Sequence, residues 1–287
     1  MLVSGNAMLA QAHAGKYAIG QFNLNNLEWI RAALLAAHKC AAPIILGVTE
    51  SACAYMGGLA TVSAMVRGFV NYLRPDVPVC LHLDHASAEM CLQAIGAGFT
   101  SVMFDGSKLP FADNLAICKK LAKICADNGV SLEAELGSPA GEEDGISGSG
   151  ERALPAECAE LSRAGITSLA ASIGNIHGEY PAGWQGLDFG LLAEINSAVA
   201  GLPLVLHGGS GIPEAMMAEA IRHGICKINV NTECQIAFAN AMAEYFASGR
   251  HKAPKGYSLQ RLLAPALAAV ADLICGKIEF FGSAGKA

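Results

Sequence analysis

The feature that most constrains this chain is a run of short apolar segments separated by helix-compatible stretches, repeated from end to end. Residues 17–22 read as a first strand and 44–48 as a second. The third joins the apolar run at 77–80 to Leu81-His82-Leu83-Asp84-His85-Ala86. Four more follow at 101–104, 131–136, 167–173 and 204–207, and an eighth at 225–230. A helix is expected from about Asn25, which would cap it with Glu28 three residues on, and Leu27, Ile30, Leu34 and Ala37 fall at helical spacing. Further helices are expected at 87–96, 111–127, 155–164, 188–199 and 213–223. Asn128-Gly129 stops the second of these, and Pro213 opens the last. Strands covered on both faces read as near-continuous apolar runs. Eight evenly sized units therefore predict an α/β fold, a single (β/α)8 TIM barrel over 1–287, ahead of a doubly wound open sheet.

Composition excludes other classes. The net charge is −6, without a dense Lys/Arg run, which argues against a nucleic-acid partner. Only 15% of residues are charged, so a homo-oligomer covering part of the surface is expected. The ten cysteines are scattered, none in a Cys-x-x-Cys pair, and mostly in apolar segments, which fits reduced thiols in a cytoplasmic protein. The N-terminus has no basic region ahead of a long apolar core, so no signal peptide is expected. The longest apolar stretch, 261–275, carries Pro265 and Asp272, against a membrane span.

In such a barrel the chemistry gathers at the C-terminal ends of the strands. Three histidines fall there: His85 after the third strand, His177 after the sixth and His207 at the end of the seventh. Three imidazoles with an open fourth position make a catalytic zinc arrangement. His82 shares the inward face with Asp84 one layer lower and reads as barrel filling. His13, His38, His223 and His251 fall on helical or peripheral segments. Gly208-Gly209-Ser210-Gly211, ahead of the helix opened by Pro213, is an anion cradle. Asn229-Val230-Asn231-Thr232 closes the eighth strand, and together these loops match the usual phosphate site of such barrels. Glu133 and Glu135 share one face of the fifth strand. Asp105 and Glu135, at strand ends, suit a second cation or the orientation of the histidines. Residues 137–150 form a glycine-rich polar loop on the catalytic face, and on spacing alone Glu142-Glu143-Asp144 reads as its solvated acidic tip.

Taken together, the chain resembles the class II, zinc-dependent fructose-/tagatose-bisphosphate aldolase family. The resemblance runs from Tyr17-Ala18-Ile19-Gly20-Gln21-Phe22-Asn23 to Phe281-Gly282-Ser283-Ala284-Gly285-Lys286. Between them it rests on His82-Leu83-Asp84-His85, Glu133-Ala134-Glu135-Leu136-Gly137, Gly141-Glu142-Glu143-Asp144-Gly145, His177-Gly178, His207-Gly208-Gly209-Ser210-Gly211 and Asn229-Val230-Asn231-Thr232. The resemblance implies that His85, His177 and His207 hold Zn2+, that Asp84 is the acid/base at the C4 hydroxyl, and that Glu143 exchanges the C3 proton. It implies substrate contacts from Asn23, Thr49, Gly178, Gly208, Gly209, Ser210, Asn229, Val230, Asn231 and Thr232, with a monovalent cation, Na+ or K+, nearby. Homodimers or homotetramers are usual in the family.

The segment Thr49-Glu50-Ser51-Ala52 with Tyr55-Met56-Gly57-Gly58 is more similar to the fructose than to the tagatose or inositol-catabolic branches. Two departures stand out. Lys255 occupies the place of an arginine on the distal phosphate, keeping the charge without the bidentate fork. Ser138-Pro139-Ala140 replaces a more glycine-rich hinge, and the loop is expected to be poorly ordered or open without ligand and to close when the phosphates bind, bringing Glu143 to C3. The expected reaction is reversible cleavage of fructose 1,6-bisphosphate to dihydroxyacetone phosphate and glyceraldehyde 3-phosphate through a metal-stabilised enediolate, with tagatose 1,6-bisphosphate as the alternative substrate. The competing readings are a Schiff-base mechanism on Lys227, a zinc hydrolase, and a non-catalytic sugar-phosphate-binding barrel.

Overall fold

The computed structural model describes residues 2–143 and 146–287, the side chains of Glu143 and Ile146 excepted. Eight parallel strands close into a barrel in which each is bonded to its sequence neighbours and the eighth to the first. They are Ile19–Asn23, Ile44–Thr49, Val79–Ala86, Ser101–Phe104, Ser131–Leu136, Ser168–Ala171, Leu204–Leu206 and Ile225–Val230. Their outward side chains, among them Phe22, Leu46, Leu81, Leu83, Val102, Leu132, Leu169 and Ile228, are buried against the surrounding helices in one continuous core. This outer layer is why every strand reads as apolar in the sequence.

The interior is graded. At the floor, Ile19, Ile45, Cys80 and Cys226 pack on Met8, Leu9 and Ala12 of helix Gly5–Gly15. That helix is capped by Ser4 and tied to the barrel by Gly5 N donating to Ser131 Oγ at 3.1 Å. Met103, Ala170 and Val205 form a further apolar cluster. The remaining buried positions include Gln21, His82, Asp84, Glu133, Glu135, His207, Lys227 and Asn229. So many polar groups are tolerated in a buried interior only where they pair or serve chemistry.

Several boundaries differ from the expectations. Helix Leu27–Lys39 is capped by Asn26, not Asn25, because the Asn26 side chain is the one that accepts from Trp29 N, at 3.0 Å. Pro213 stands at the cap of helix Glu214–Arg222 instead of inside it. The described residues of 137–150 are not a structureless loop. Ala140–Glu143 and Ile146–Gly148 pair antiparallel, and Ile176–His177 adds a parallel third strand. Glycine is needed there for close approach: a Cβ on Gly141 would lie 2.1 Å from the His177 carbonyl oxygen. At the C-terminal end, helices Thr232–Ala247 and Leu259–Phe280 pack antiparallel, pinned by the Lys277–Glu233 ion pair. The stretch 261–275 lies in the second of these, which carries Pro265, and no described helix is long and apolar enough to cross a membrane. All ten cysteines are free, nine of them buried.

Candidate metal and sugar-phosphate site

The three rim histidines meet. Ring centroids are 4.5 Å apart for His85 and His207, 5.1 Å for His85 and His177, and 5.8 Å for His177 and His207. One nitrogen from each ring falls within 4.8 Å of the others. His85 reaches this cluster by breaking the strand's own rule. Alternation would send it outward with Leu81 and Leu83, but its φ of 45° lies in the left-handed region and the pairing with the fourth strand shifts between Leu83 and Ala86. A non-glycine residue held there costs about 1–3 kcal/mol, a strain characteristic of functional sites.

Two of the three rings, His85 and His207, are oriented by a carboxylate partner. The carboxylate Oε1 of Glu133 accepts from His207 Nε2 at 3.0 Å, leaving His207 Nδ1 buried and without a partner. Asp105 Oδ2 accepts from His85 Nδ1 at 3.0 Å, and Glu135 Oε2 lies 3.4 Å from the same nitrogen. His177 Nδ1 is likewise buried and unpartnered. Unsatisfied nitrogens at one spot, ringed by Asp84, Asp105 and Glu135, are the donor set a divalent cation requires, and three imidazoles with an open position suit zinc. His85, Asp105 and Glu135 form a second group with donor atoms within 4.8 Å.

The charges agree with a cation site. Burial would lower the His85 pKa, but Glu135, Asp105 and Asp84 raise it well above the ordinary range. Burial, then the charge on His85, lowers His177 to about 4 and holds His207 well below its usual value. Burial pushes Glu135 up to about 7 against the pull of His85. It would also raise Asp105, which His85 and Ser107 hold well below the usual carboxylate range.

Asp84 stands beside the histidine cluster, 2% exposed. Gln21 Nε2 donates to its Oδ2 at 2.7 Å and Asn229 Nδ2 to its Oδ1 at 3.4 Å. Burial would raise this carboxyl, yet His85, His207 and Lys227 hold it below its usual range. His82 lies beneath, bonded through Nδ1 to Ser101 Oγ at 2.7 Å; burial and then Lys227 bring it to about 4. Lys227 is 1% exposed and sits 2.8 Å and 3.0 Å from the two oxygens of Glu133.

The loops at Gly208–Gly211 and Asn229–Thr232 are knitted together. Gly208 has a φ of 64°, and a Cβ there would lie 2.0 Å from the Ile176 carbonyl oxygen. Gly209 N donates to the Asn229 carbonyl at 2.8 Å, and Ser210 Oγ accepts from Glu233 N at 3.2 Å. Gly211 N donates to Glu233 Oε1, so that amide is already committed. Tyr180, which the sequence reading passed over, accepts from Ile176 N and donates to the Gly208 carbonyl, linking the His177 segment to the glycine loop. Asn231 precedes helix Thr232–Ala247, whose N-terminus therefore opens at the same loops. Gly178 has a φ of 85°, with the Glu142 carbonyl 3.0 Å from where its Cβ would lie, and Val230 is fully buried in the outer core.

Asn23 and Thr49 also lie at strand ends on the rim side. Asn23 Oδ1 accepts from Gln21 Nε2 at 3.4 Å, and Thr49, paired in register with Asp84, caps helix Glu50–Tyr55. A small cleft at the metal cluster is lined by His85, Asp105, Glu135 and His177 on one side and by Ser138, Pro139, Ser147 and Gly148 of the hairpin on the other. The base of the hairpin therefore lines the cleft at the rim. The Glu143 side chain and all of Asp144 and Gly145 lie outside the described residues. Lys255 is not brought to the rim of its own barrel. It is an exposed turn residue separated from Thr232 by the 16-residue helix Thr232–Ala247, about 24 Å at 1.5 Å per residue.

Comparison with known proteins fits this geometry. A family model described as fructose-bisphosphate aldolase class-II matches residues 3–286. The chain belongs to that family. Relatives include the fructose-bisphosphate aldolases of Mycoplasma genitalium, 48% identical over 100% of both chains, and of Ureaplasma parvum, 45% identical over 99% of this chain and 98% of the relative. Among solved structures, the YdjI aldolase from Escherichia coli K12 superposes with a TM-score of 0.86 at 32% identity, covering 100% of each chain. The fructose-bisphosphate aldolase of Campylobacter jejuni superposes with a TM-score of 0.85 at 25% identity, covering 100% of this chain and 97% of the other. For a member of this family, the three-imidazole cluster beside an amide-held carboxylate is the part of the barrel with the means for aldol chemistry.

Proposed function

We propose that the chain is a zinc-dependent aldolase that reversibly cleaves fructose 1,6-bisphosphate to dihydroxyacetone phosphate and glyceraldehyde 3-phosphate, a glycolytic step. The observation that carries this reading is the cluster of His85, His177 and His207, with buried unpartnered nitrogens on His177 and His207, beside the Asp84 carboxylate. Zinc held by those imidazoles supplies Lewis-acid stabilisation of the negative charge that develops on the substrate oxygens. Asp84 removes the C4 hydroxyl proton as C4 becomes the aldehyde carbon and the C3–C4 bond breaks towards C3. Glu143 delivers the proton that C3 then takes. Two separate carboxylates are needed because the two protons move at different carbons.

Gly178, Gly208, Gly209, Ser210, Asn229, Val230, Asn231 and Thr232 hold one phosphate, with a monovalent cation beside it. Asn23 and Thr49 contact the sugar. Asp105 and Glu135 orient His85 and offer a second cation site. A homodimer or homotetramer is supported by the exposed apolar side chains of Leu27, Leu35, Tyr72 and Leu259 around one helical groove. Free thiols throughout support a cytoplasmic setting.

Fructose and tagatose bisphosphates differ in configuration at C4, the carbon whose hydroxyl Asp84 would serve. Steady-state cleavage of both sugars should therefore show a higher kcat/KM for fructose 1,6-bisphosphate, abolished by chelation and restored by zinc. Borohydride added with substrate should leave activity intact, since Lys227 is buried against Glu133. A covalent adduct on Lys227 would replace the metal mechanism with a Schiff base.

A further inference from the structure

Gln21 belongs to the strand motif that marks the family resemblance, yet none of the roles above falls on it. Its side chain is fully buried inside the barrel. The strand that carries it is fixed on both sides, with Gln21 in register with Asn229 of the eighth strand and Ile45 of the second. The space its amide fills exists because residue 47 on the second strand has no side chain. A Cβ on Gly47 would lie 2.5 Å from Gln21 Nε2 and 2.7 Å from its Cδ. Gln21 Nε2 uses that notch to donate to Asp84 Oδ2 at 2.7 Å, with Asn23 Oδ1 at 3.4 Å. The amide orientation follows from chemistry: turned over, its oxygen would face a carboxylate oxygen at bonding distance, two acceptors in repulsion. In this orientation Gln21 Oε1 is buried with no protein partner, a cost that a residue kept only for packing has no reason to bear.

We propose that Gln21, seated in the Gly47 notch, is the positioning residue that sets the rotation of the Asp84 carboxylate towards the C4 hydroxyl. Rotation of an aspartate carboxylate about its last bond is soft, so a strand alone cannot aim it. Of the two amides on Asp84, Gln21 makes the short bond and Asn229 the long one. A neutral donor fixes one oxygen without neutralising the charge that must take a proton. This inference rests on the reading of Asp84 as the group that serves C4.

Gln21→Met keeps the volume and removes the donor. Cleavage kcat for fructose 1,6-bisphosphate should fall about a hundredfold, the scale of a misplacement near 1 Å, while KM changes little. Exchange of the C3-equivalent proton of dihydroxyacetone phosphate into heavy water should stay within about threefold, because that step does not use Asp84. Gly47→Ala, which touches neither metal nor phosphate residues, should reproduce the same split by displacing Gln21. In a Gln21→Ala background it should add nothing, since the group it displaces is gone. Zinc content and melting temperature accompany each variant. Equal loss of cleavage and exchange, no loss of cleavage, or loss of zinc or folding in both Gln21→Met and Gly47→Ala would make Gln21 a packing residue and overturn the proposal. Asp84→Ala in parallel separates the two levels. If it spares cleavage, the reading of Asp84 fails; if it splits the two activities and Gln21→Met does not, only the role of Gln21 fails.

Discussion

His207→Ala should leave a folded barrel that no longer retains zinc. Losing an outer partner of a metal histidine typically costs about 10–100-fold in affinity, and here a ligand itself goes, so the loss should exceed that range. The variant should stay folded because Glu133, which would lose His207, keeps Lys227 at 2.8 Å. Metal analysis after dialysis, with cleavage assayed at the same zinc concentration as the parent, reads both effects. Substoichiometric zinc and cleavage at background are expected. Full zinc with unchanged activity would remove His207 from the site.

Asp84→Ala addresses the proton instead of the metal. General acid–base groups contribute about 10²–10⁴-fold, and cleavage of fructose 1,6-bisphosphate should fall by that much. Zinc content should be nearly unchanged, because the three imidazoles and their partners Glu133, Asp105 and Glu135 are untouched. Proton exchange on dihydroxyacetone phosphate, which has no C4, should be largely spared. Parallel collapse of cleavage and exchange would mean that Asp84 supports the metal and does not serve C4.

The barrel is legible in the sequence because parallel strands buried on both faces leave long apolar runs, and helices of the outer ring have their own stop signals. Helix Gly5–Gly15 escaped notice because it is built largely of small residues and seals the floor with Met8, Leu9 and Ala12 alone. The site was legible where residue type and strand end coincide, as at His177 and His207. It was less so where geometry departs from the pattern: His85 faces the cluster only through a left-handed φ and a register shift. Partners inside the barrel were harder still. The signal for Gln21 was present, a polar residue on the same strand face as Ile19 and Asn23, but its target, Asp84, lies 63 residues away. The glycines of 137–150 suggested freedom, whereas Gly141 serves close packing on His177.

The most direct test of the central claim is dihydroxyacetone phosphate incubated with the enzyme in heavy water and followed by proton NMR. One hydrogen on the hydroxymethyl carbon beside the carbonyl should exchange stereospecifically, without net hydrolysis of the phosphate. Chelation should stop it, zinc should restore it, and Glu143→Ala should slow it while zinc is retained. Exchange that survives complete removal of metal, or phosphate release in place of exchange, would contradict a metal-dependent aldolase.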